Sequence, residues 1–371
     1  MNLITVSGSA LLDRFIRLPF RLYRDDPRWV PPLVSAERKM LDPDRNPFYD
    51  HAEAAHFLVE KDGVDVGRIS AIDNKLHNQV QHEKTGFWGY FESENDPAIG
   101  SMLFDAAAGW LRDRGLNRML GPVNPSINDP SGLLVDGFEW SPVVLMTYNP
   151  RFYVTLIEQA GFKKAMDLLA YIITHQSLDH ERIDRIAELI RKRSKAVVRQ
   201  FEVSRLDREL DIVKDVYNDA WEKNWGFVPM TEAEVRFQAE DLKSILLEEF
   251  AYIAEVDGRP VGFSFALPDI NLALKKCNGT LWPFGWRHFM KSALRSKIKT
   301  LRMVALGLRK AYHTSGIGTL FYQRIIQEGL KRNYIAAECS WILETNDLMR
   351  RPIEQMGGKP YKTYRLYEKP I

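Results

Sequence analysis

The sequence predicts an α/β protein in which an α+β mixed sheet is built twice, in two tandem domains. Each half of the chain opens with an alternating hairpin, around DGV in residues 53–73 and around DGRP in residues 249–269. In each half the hairpin leads into the order strand, helix, strand, helix, strand. Hairpins combined with such units are typical of a mixed sheet with helices packed against it.

In the first half, residues 84–93 (KTGFWGYFES) have the pattern of a third strand. Residues 96–115 are amphipathic, with acidic residues at the start and Gly115 at the end, which predicts a helix. The other predicted elements are a helix over 149–161 and strands at RMLGPVN, VVLMTY and FKKAMDLLAYIITH.

The second half repeats this order. The predicted elements are a strand over 301–309, a helix over 316–333, a strand over 336–343, a helix over 346–358 and a last strand at KPYKTYRLYEK. The charged helical stretch 179–195 is interpreted as a linker helix or a solvated face. The predicted organisation is therefore a domain over 1–175, a linker helix over 176–195 and a domain over 196–371.

Composition excludes several classes of protein. The chain of 371 residues has a formal net charge of +2, so there is no clear nucleic-acid partner. Its two cysteines, Cys277 and Cys339, exclude a disulfide scaffold and favour a reducing compartment. No metal site is expected, because Cys277 has no His or second Cys at ligand spacing. Without a signal peptide or an apolar run of membrane-spanning length, we expect a cytoplasmic protein.

Two glycines, Gly316 and Gly318, lie where an apolar strand meets a helix, in the stretch HTSGIGT. Glycines in such a position let a ligand approach the backbone, and the unpaired N–H groups and the dipole of the helix favour an anion. No acidic residue lies between Asp269 and Glu328, whereas several basic residues do. The alternative is a tight strand-to-helix turn that needs glycine only for its backbone angles.

The stretch His313-Thr-Ser-Gly316-Ile-Gly318 resembles the signature of the GNAT superfamily of acyl-CoA-dependent N-acyltransferases, which reads Gln or Arg, two residues, Gly, any residue, Gly or Ala. The strand before it, the helix after it and the later run NDLMRRPIEQMGGKPYKTYRLY are also similar to the family. A degenerate copy is found in the first half, at YNPRFYVTLIEQAGFKKAMDLLAY. The chain thus resembles a tandem-domain, bacterial-type member.

This resemblance implies that acetyl-CoA or another acyl-CoA serves as co-substrate. An amine, on a small molecule or a peptide, would attack the thioester directly. The implied cofactor-binding residues are Leu306, Gly307, Leu308, His313, Thr314, Ser315, Gly316, Ile317, Gly318 and Thr319. Amides of the turn would hold the pyrophosphate, the strand backbone would pair with the pantetheine arm, and one N–H there would polarise the thioester carbonyl.

The sequence departs from the family pattern in two ways. His313 replaces the Gln or Arg; it can still donate to phosphate, or it is simply a polar loop residue. The tyrosine that the family often places four residues before the glycine of its last helix, as the acid for the leaving thiolate, is Ile353 here. Tyr361 and Tyr364 lie nearby as substitutes, or else as packing aromatics.

The first half lacks the glycine loop. The matching stretch, ESENDPAIG, carries Glu92, Glu94 and Asp96, which would stabilise a helix start and repel a pyrophosphate. We therefore expect the first half not to bind coenzyme A and instead to shape the acceptor pocket.

Candidates for the acceptor pocket lie in three polar stretches. Asp269 ends the second hairpin, where a carboxylate would take the proton of the amine or hold an ammonium. The pocket-lining candidates are Trp221, Asn224, Trp225, Asn271, Asn124 and Asn128. The alternatives are that the tryptophans are core anchors and that the polar residues satisfy their own turns.

Residues 274–302 form an insertion that mixes aromatic and basic side chains, among them Trp282, Trp286, Lys275 and Lys276. Such a stretch suits peripheral contact with an anionic membrane, binding of acidic ligands, or the covering of a long acyl chain. The alternative is a capping helix with a solvated basic face.

Two other functions stay open at this level. Double-domain relatives of the fold move amino acids from aminoacyl-tRNA, or long acyl chains to peptides, which the basic insertion would suit. The missing tyrosine would also fit a non-catalytic module that binds acyl-CoA or a partner.

Overall fold

A computed structural model describes residues 1–282 and 298–371, and its internal contacts divide the chain into two compact units. Among the described residues, the first unit contains 1–168, 271–282 and 362–371, and the second contains 169–270 and 298–361. Each unit is built from separate stretches of the chain. The single domain boundaries predicted at 175 and 196 therefore stay predictions. The part of the insertion over 283–297, including Trp286, lies outside the described residues.

The first half of the chain forms alternating strands and helices. They are β1 (Asn2–Thr5), α1 (Gly8–Leu22), α2 (Val34–Met40), β2 (Ala52–Lys61), β3 (Val64–Asn74), α3 (Lys75–Gln81), β4 (Thr85–Ser93), α4 (Pro97–Arg112), β5 (Arg118–Gly121), β6 (Leu133–Asp136), α5 (Phe152–Gln159) and β7 (Lys163–Thr174).

The second half continues in the same manner. Its elements are α6 (His180–Ser194), β8 (Val197–Gln200), α7 (Leu206–Trp221), α8 (Glu232–Leu242), β9 (Ala251–Val256), β10 (Arg259–Pro268), α9 (Asn271–Cys277), β11 (Thr300–Leu308), α10 (Gly318–Lys331), β12 (Ala336–Leu343), α11 (Asp347–Gln355) and β13 (Lys359–Pro370).

The two units repeat one strand order. In the first, β1 to β4 pair antiparallel in sequence and β4 pairs parallel with β5. In the second, β8 to β11 pair antiparallel and β11 pairs parallel with β12. A register shift interrupts β3–β4 in one unit and β10–β11 in the other. The predicted fold class, a mixed sheet made twice, is confirmed.

Each unit has its own apolar core, in which the helix that links the two parallel strands packs on the sheet. In the first unit, α4 contributes Leu103 and Phe104, both at most 2% exposed. In the second, α10 contributes Leu320 and Phe321, both at most 1% exposed. In both helices, the apolar residues that repeat with the predicted helical period are therefore the residues that are buried.

One local prediction was wrong, and a second element has contacts that the sequence did not predict. VVLMTY forms no strand: its Val143 and Val144 are buried in a loop, and Leu145 has a left-handed φ of 60°, which interrupts an extended backbone. The stretch interpreted as a linker helix forms α6, which buries Ile183 and Ala187 and packs on α10. Its Asp184 accepts a hydrogen bond of 3.1 Å from Gln327.

Among the described residues, no helix has the length and apolar character needed to cross a membrane. In residues 1–282 and 298–371, no group of three or more His, Cys, Asp or Glu side chains is arranged to hold a metal ion.

Candidate functional site

The parallel strands β11 and β12 separate part-way along their length. They pair over only four positions, from Thr300 opposite Ala336 to Met303 opposite Cys339. β11 then runs on to Leu308 and β12 to Leu343, and no register pair joins these two ends within the described residues. The second unit therefore has a wedge-shaped opening between two strand edges.

The edge of β11 in this opening presents hydrogen-bonding groups. The N–H of Arg309 donates to the carbonyl of Val261 on β10, at 2.8 Å, so the Leu308 carbonyl of the same peptide points to the opposite side. Because successive residues of a strand alternate in direction, Leu306 presents its N–H and C=O to the opening, whereas the backbone of Gly307 faces β10. An extended ligand can pair with this edge as an added strand does.

At the far end of β11 lies the head of α10, which has open amides. The N-cap residue, Ile317, offers no side-chain hydrogen bond to the helix. In the part of the chain that the structure describes, no acceptor is found for the amides of Thr314, Gly316 and Gly318. Amides without acceptors at a helix start, together with the helix dipole, form a site for an anion.

Side chains do not fill this turn. Gly316 has a φ of 81° and is only partly buried, and Thr314 is exposed. A Cβ at Gly316 would meet Ile190 of α6 at 3.0 Å, so one side of the turn rests on that helix while the other stays open. Glycine is thus required here both for its backbone angle and for its contact with α6.

His313 is already engaged. Its Nε2 lies 2.8 Å from the carbonyl oxygen of Leu308, which can only accept, so Nε2 carries the proton and Nδ1 is left for a ligand. The residue that replaces the family's Gln or Arg therefore fixes the turn to the end of β11.

Helix α7 holds β11 from the other face. Asp219 accepts a hydrogen bond from the Lys310 amide at 2.8 Å. The ring of Trp221 lies against Gly307, where a Cβ would come within 2.3 Å of it. Trp221 also stacks on Tyr217, with 4.7 Å between ring centroids. Trp221, predicted to line a pocket, thus covers the strand that borders the opening.

A buried polar network lies where β11 and β12 separate. Arg302 donates to the Ser340 hydroxyl at 3.1 Å, and that hydroxyl donates to Glu338 at 2.6 Å. The second carboxylate oxygen of Glu338 accepts from the Tyr361 hydroxyl. Sequence reasoning missed this network, although charged residues inside the apolar strands LRMV and AAECSW were a signal for it.

Cys339 follows Glu338 but is not a nucleophile. Burial, together with the charge of Glu338, raises the pKa of its thiol to about 12. Only the thiolate attacks readily, and almost none is present near neutral pH. A covalent intermediate on Cys339 is therefore disfavoured.

The corresponding opening in the first unit is closed by its own chain. Beyond the last β4–β5 pair, Val123 donates to the Trp88 carbonyl at 2.9 Å, and Asn124 accepts from the Tyr90 amide at 2.6 Å. The Val123 carbonyl lies so near Gly89 that a Cβ there would be 1.6 Å away. The edge of β4 is therefore satisfied internally, and Asn124 has a structural role.

The head of α4 is closed as well. Asp96 is its N-cap, and its carboxylate accepts from the Ala98 amide at 2.9 Å. Of the three predicted carboxylates, Glu92 lies elsewhere: its oxygen accepts from Tyr23 at 2.7 Å and from Tyr153 at 2.8 Å. The expectation that this half does not bind coenzyme A stays a prediction.

The other predicted pocket residues of the second unit lie apart from the opening or in turns. Asp269 donates its backbone N–H to Thr300, at the paired end of β11. The register shift between β10 and β11 is a bulge at Val304, near the start of the opening. Thr300 is four residues, or about 13 Å of strand, from that bulge. Asn224 sits in a turn after α7, where its N–H donates to Trp221, and Trp225 is partly buried beside it.

Three predicted residues belong to the first unit. Asn271 is buried at the start of α9 and donates to the Pro142 carbonyl at 2.7 Å. The Asn128 amide donates to Ser126, within the turn 126–129. Tyr364 is fully buried and pairs with Leu134, which makes it part of the first unit's sheet. Their proposed contacts with an acceptor stay predictions.

Two bacterial proteins resemble the chain along nearly its whole length. The bacterial ceramide synthase of Caulobacter vibrioides is 39% identical over 379 aligned positions, covering 100% of this chain and 98% of that protein. Protein YghO of Escherichia coli is 37% identical over 365, covering 97% of this chain and 93% of YghO. No protein-family model matches the chain.

Solved structures show the same fold at low identity. A tandem GNAT protein from the clavulanic acid biosynthesis pathway has a TM-score of 0.59 at 11% identity, covering 100% of this chain and 98% of that one. A GCN5-related N-acetyltransferase from Sphaerobacter thermophilus has a TM-score of 0.52 at 13% identity, with coverage of 99% and 95%. The chain therefore belongs to the family of the Caulobacter and Escherichia proteins, and it has the fold of tandem GNAT proteins.

Proposed function

We propose that the protein transfers the acyl group of an acyl-CoA to the primary amine of a long-chain amino alcohol. The observation that carries the proposal is the opening between β11 and β12, with three acceptor-free amides at its far end. The relative named a ceramide synthase supports the choice of acceptor, since a ceramide is the amide of a fatty acid and a long-chain amino alcohol.

The donor would be held by backbone groups alone. The pyrophosphate accepts from the amides of Thr314, Gly316 and Gly318, where the helix dipole favours its charge. The pantetheine arm lies along β11 and pairs with Leu306, as an added strand. An N–H directed into the opening then donates to the thioester oxygen as negative charge develops on it.

The acceptor amine must lose a proton during attack. Glu338 is the carboxylate beside the point where the strands separate, and its hydroxyl partners Ser340 and Tyr361 connect it to neighbouring groups. We assign Glu338 as the final proton acceptor, in preference to Asp269, because Glu338 is one register step from the last pair of β11 and β12, whereas Asp269 bonds to Thr300 at the start of β11. Attack forms the amide C–N bond, breaks the C–S bond and releases coenzyme A as the thiolate, which takes a proton from water, while Glu338 returns its proton to water.

Matched variants at Thr314 test donor binding. Thr314 is exposed, so Thr314→Asp and Thr314→Asn both fit, but only the Asp variant places a negative charge at the head of α10. We expect coenzyme A to raise the melting temperature of the wild type and of Thr314→Asn. Thr314→Asp should bind at least about tenfold more weakly, a loss of about 1.4 kcal/mol.

The reaction itself is tested by thiol release from acyl-CoA, with a long-chain amino alcohol compared with ethanolamine. The expected product is the amide of the long-chain amine, identified by mass spectrometry. Equal stabilisation of the two Thr314 variants by coenzyme A would contradict the proposed pyrophosphate site. Binding without thiol release, with either amine, would instead support a non-catalytic binding module.

A further inference from the structure

The outer face of α6 carries a stripe of exposed apolar and basic side chains. Ile186 is 37% exposed and Leu189 is 68% exposed, although both are large aliphatic residues. Residues that follow one another by three or four positions share one face of a helix, so the stripe is a single surface. This surface, the α6 stripe, consists of Arg182, Arg185, Ile186, Leu189 and Arg193, all of which are exposed.

The three arginines of the α6 stripe are available to a partner. Within the described residues, none of their side chains forms a hydrogen bond or an ion pair. Over 180–195, six basic residues outnumber three acidic ones. Two of the acidic residues are already engaged, since Glu188 pairs with Lys192 at 3.4 Å and Asp184 accepts from Gln327. The surface therefore has an excess of positive charge and complements a negatively charged partner.

The α6 stripe ends beside the proposed donor site. Asp184, early in α6, accepts its hydrogen bond from Gln327, which is far along α10. Ile190, later in α6, lies against Gly316, which comes just before α10. The two helices therefore run antiparallel, and the last turn of α6 is next to the head of α10. Arg193 follows Ile190 by three positions, so a partner on the α6 stripe would lie beside the proposed phosphate site.

We infer that the α6 stripe docks an acidic carrier protein that bears the acyl group on a phosphopantetheine arm. The inference rests on the proposed function, because such an arm ends in the same pantetheine thioester as acyl-CoA. The phosphate of the arm joins it to a serine of the carrier protein, so that protein must lie where the phosphate is bound. The transfer is the one already written, with the thiolate of the carrier protein as the leaving group.

The chemistry of the α6 stripe favours a protein over a membrane. A carrier-protein helix with acidic side chains around an apolar centre would pair with the arginines and cover Ile186 and Leu189. A lipid bilayer also attracts basic and apolar residues, but helices at its interface are anchored by aromatic side chains, and the α6 stripe contains none. A protein-borne arm, moreover, has to start beside the head of α10, where the stripe ends.

The acyl carrier protein of Escherichia coli, with and without its phosphopantetheine arm, tests this against the full-length protein by fluorescence anisotropy. The wild type should bind the form with the arm, and coenzyme A should displace it, because both occupy the head of α10. Leu189→Glu places a negative charge at the centre of the α6 stripe, where the side chain is 68% exposed and the fold does not depend on it. This variant should bind the carrier protein at least about tenfold more weakly, with its affinity for coenzyme A unchanged.

Leu348→Glu is the matched control, because Leu348 is 57% exposed and lies on α11 of the same unit. It should bind the carrier protein as the wild type does. Arg185→Glu, within the α6 stripe, should weaken that binding as Leu189→Glu does.

Equal affinity of the wild type and Leu189→Glu for the carrier protein would overturn the inference and leave the proposed function in place. Binding of coenzyme A without binding of the carrier protein would do the same. Vesicles of phosphatidylglycerol that bind the wild type but not Leu189→Glu, with no binding of the carrier protein, would assign the stripe to a membrane instead. Failure of the wild type to bind coenzyme A would overturn the proposed function as well.

Discussion

Glu338 is a carboxylate in a strand whose neighbouring residues are small or apolar. A buried charge is tolerated only when its oxygens are hydrogen-bonded, and Glu338 is fully buried with hydroxyl donors on both oxygens. An apolar residue at this core position would avoid the desolvation free energy of a buried charge. The network lies at the separation of β11 and β12, which is where the proposed proton acceptor is needed.

Glu338→Gln keeps the size of the side chain and removes its capacity to take a proton. We expect coenzyme A to stabilise the variant as it does the wild type, because no donor contact is lost. Turnover should fall roughly 100-fold or more, the usual contribution of a general base.

Asp269→Asn is the comparison variant for this measurement. Asp269 lies at the paired end of β11, so its loss should leave turnover close to that of the wild type. A variant Glu338→Gln with normal turnover, alongside an inactive Asp269→Asn, would reverse the assignment and restore the base predicted from the sequence.

At the scale of elements, α4 and α10 are the helices that link the parallel strands of each unit, and they differ most at their first turns. α4 is capped by Asp96, whereas α10 begins at Ile317 without a side-chain cap. A capping carboxylate satisfies helix amides and occupies the place an anion would take. The head of α4 is thus capped by the protein itself, whereas the head of α10 leaves amides available to a ligand.

Asp96→Ala should lower the free energy of unfolding by about 1 kcal/mol, the usual cost of losing an N-cap. Chemical denaturation followed by fluorescence measures this loss. Coenzyme A should raise the melting temperature of the variant by as much as that of the wild type. A smaller shift in the variant would mean that the head of α4 takes part in donor binding.

The sequence was sufficient for elements whose period matches their burial. The strand over 336–343 and the hairpin around DGRP were predicted close to their observed bounds, because alternation and turn residues report local geometry. The strand predicted at VVLMTY was wrong for the opposite reason. Its apolar residues are buried in a loop, and an apolar run without a periodic pattern does not distinguish a buried loop from a strand.

The glycines of the candidate site were found from the sequence, but their surroundings were not. Gly316 rests on Ile190, which lies on the helix interpreted as a linker. Gly307 is needed because Trp221 lies against it. Such contacts join residues far apart in the chain, so no local pattern reports them.

At the scale of the whole molecule, one strand order is used twice with different outcomes. In the first unit the strand edge beyond the parallel pairs is satisfied by Val123 and Asn124, and in the second it is left open. A duplicated fold thus provides one closed copy and one that offers a site. A repeat in sequence predicts the fold of both copies but the function of neither.

The C-terminal segment is structurally part of the first unit. Residues 362–371 group with it by contacts, and Tyr367 pairs with Gly121 of β5. Arg365 forms an ion pair of 2.7 Å with Asp167, which is also in this unit. The segment buries Tyr364, Leu366 and Tyr367, each at most 1% exposed.

Deletion of residues 362–371 should therefore unfold the first unit, although the deleted residues are the last in the chain. Burial of each large apolar side chain contributes about 1.5–3 kcal/mol, and three are lost, against about 5–15 kcal/mol for a typical domain. Hydrogen exchange should show loss of amide protection in β3 and α4, which belong to this unit. Deletion of Ile371 alone, whose amide donates to Asn117, should leave that protection largely intact. Full protection of β3 and α4 in the longer deletion would show that the first half folds without the C-terminal strand.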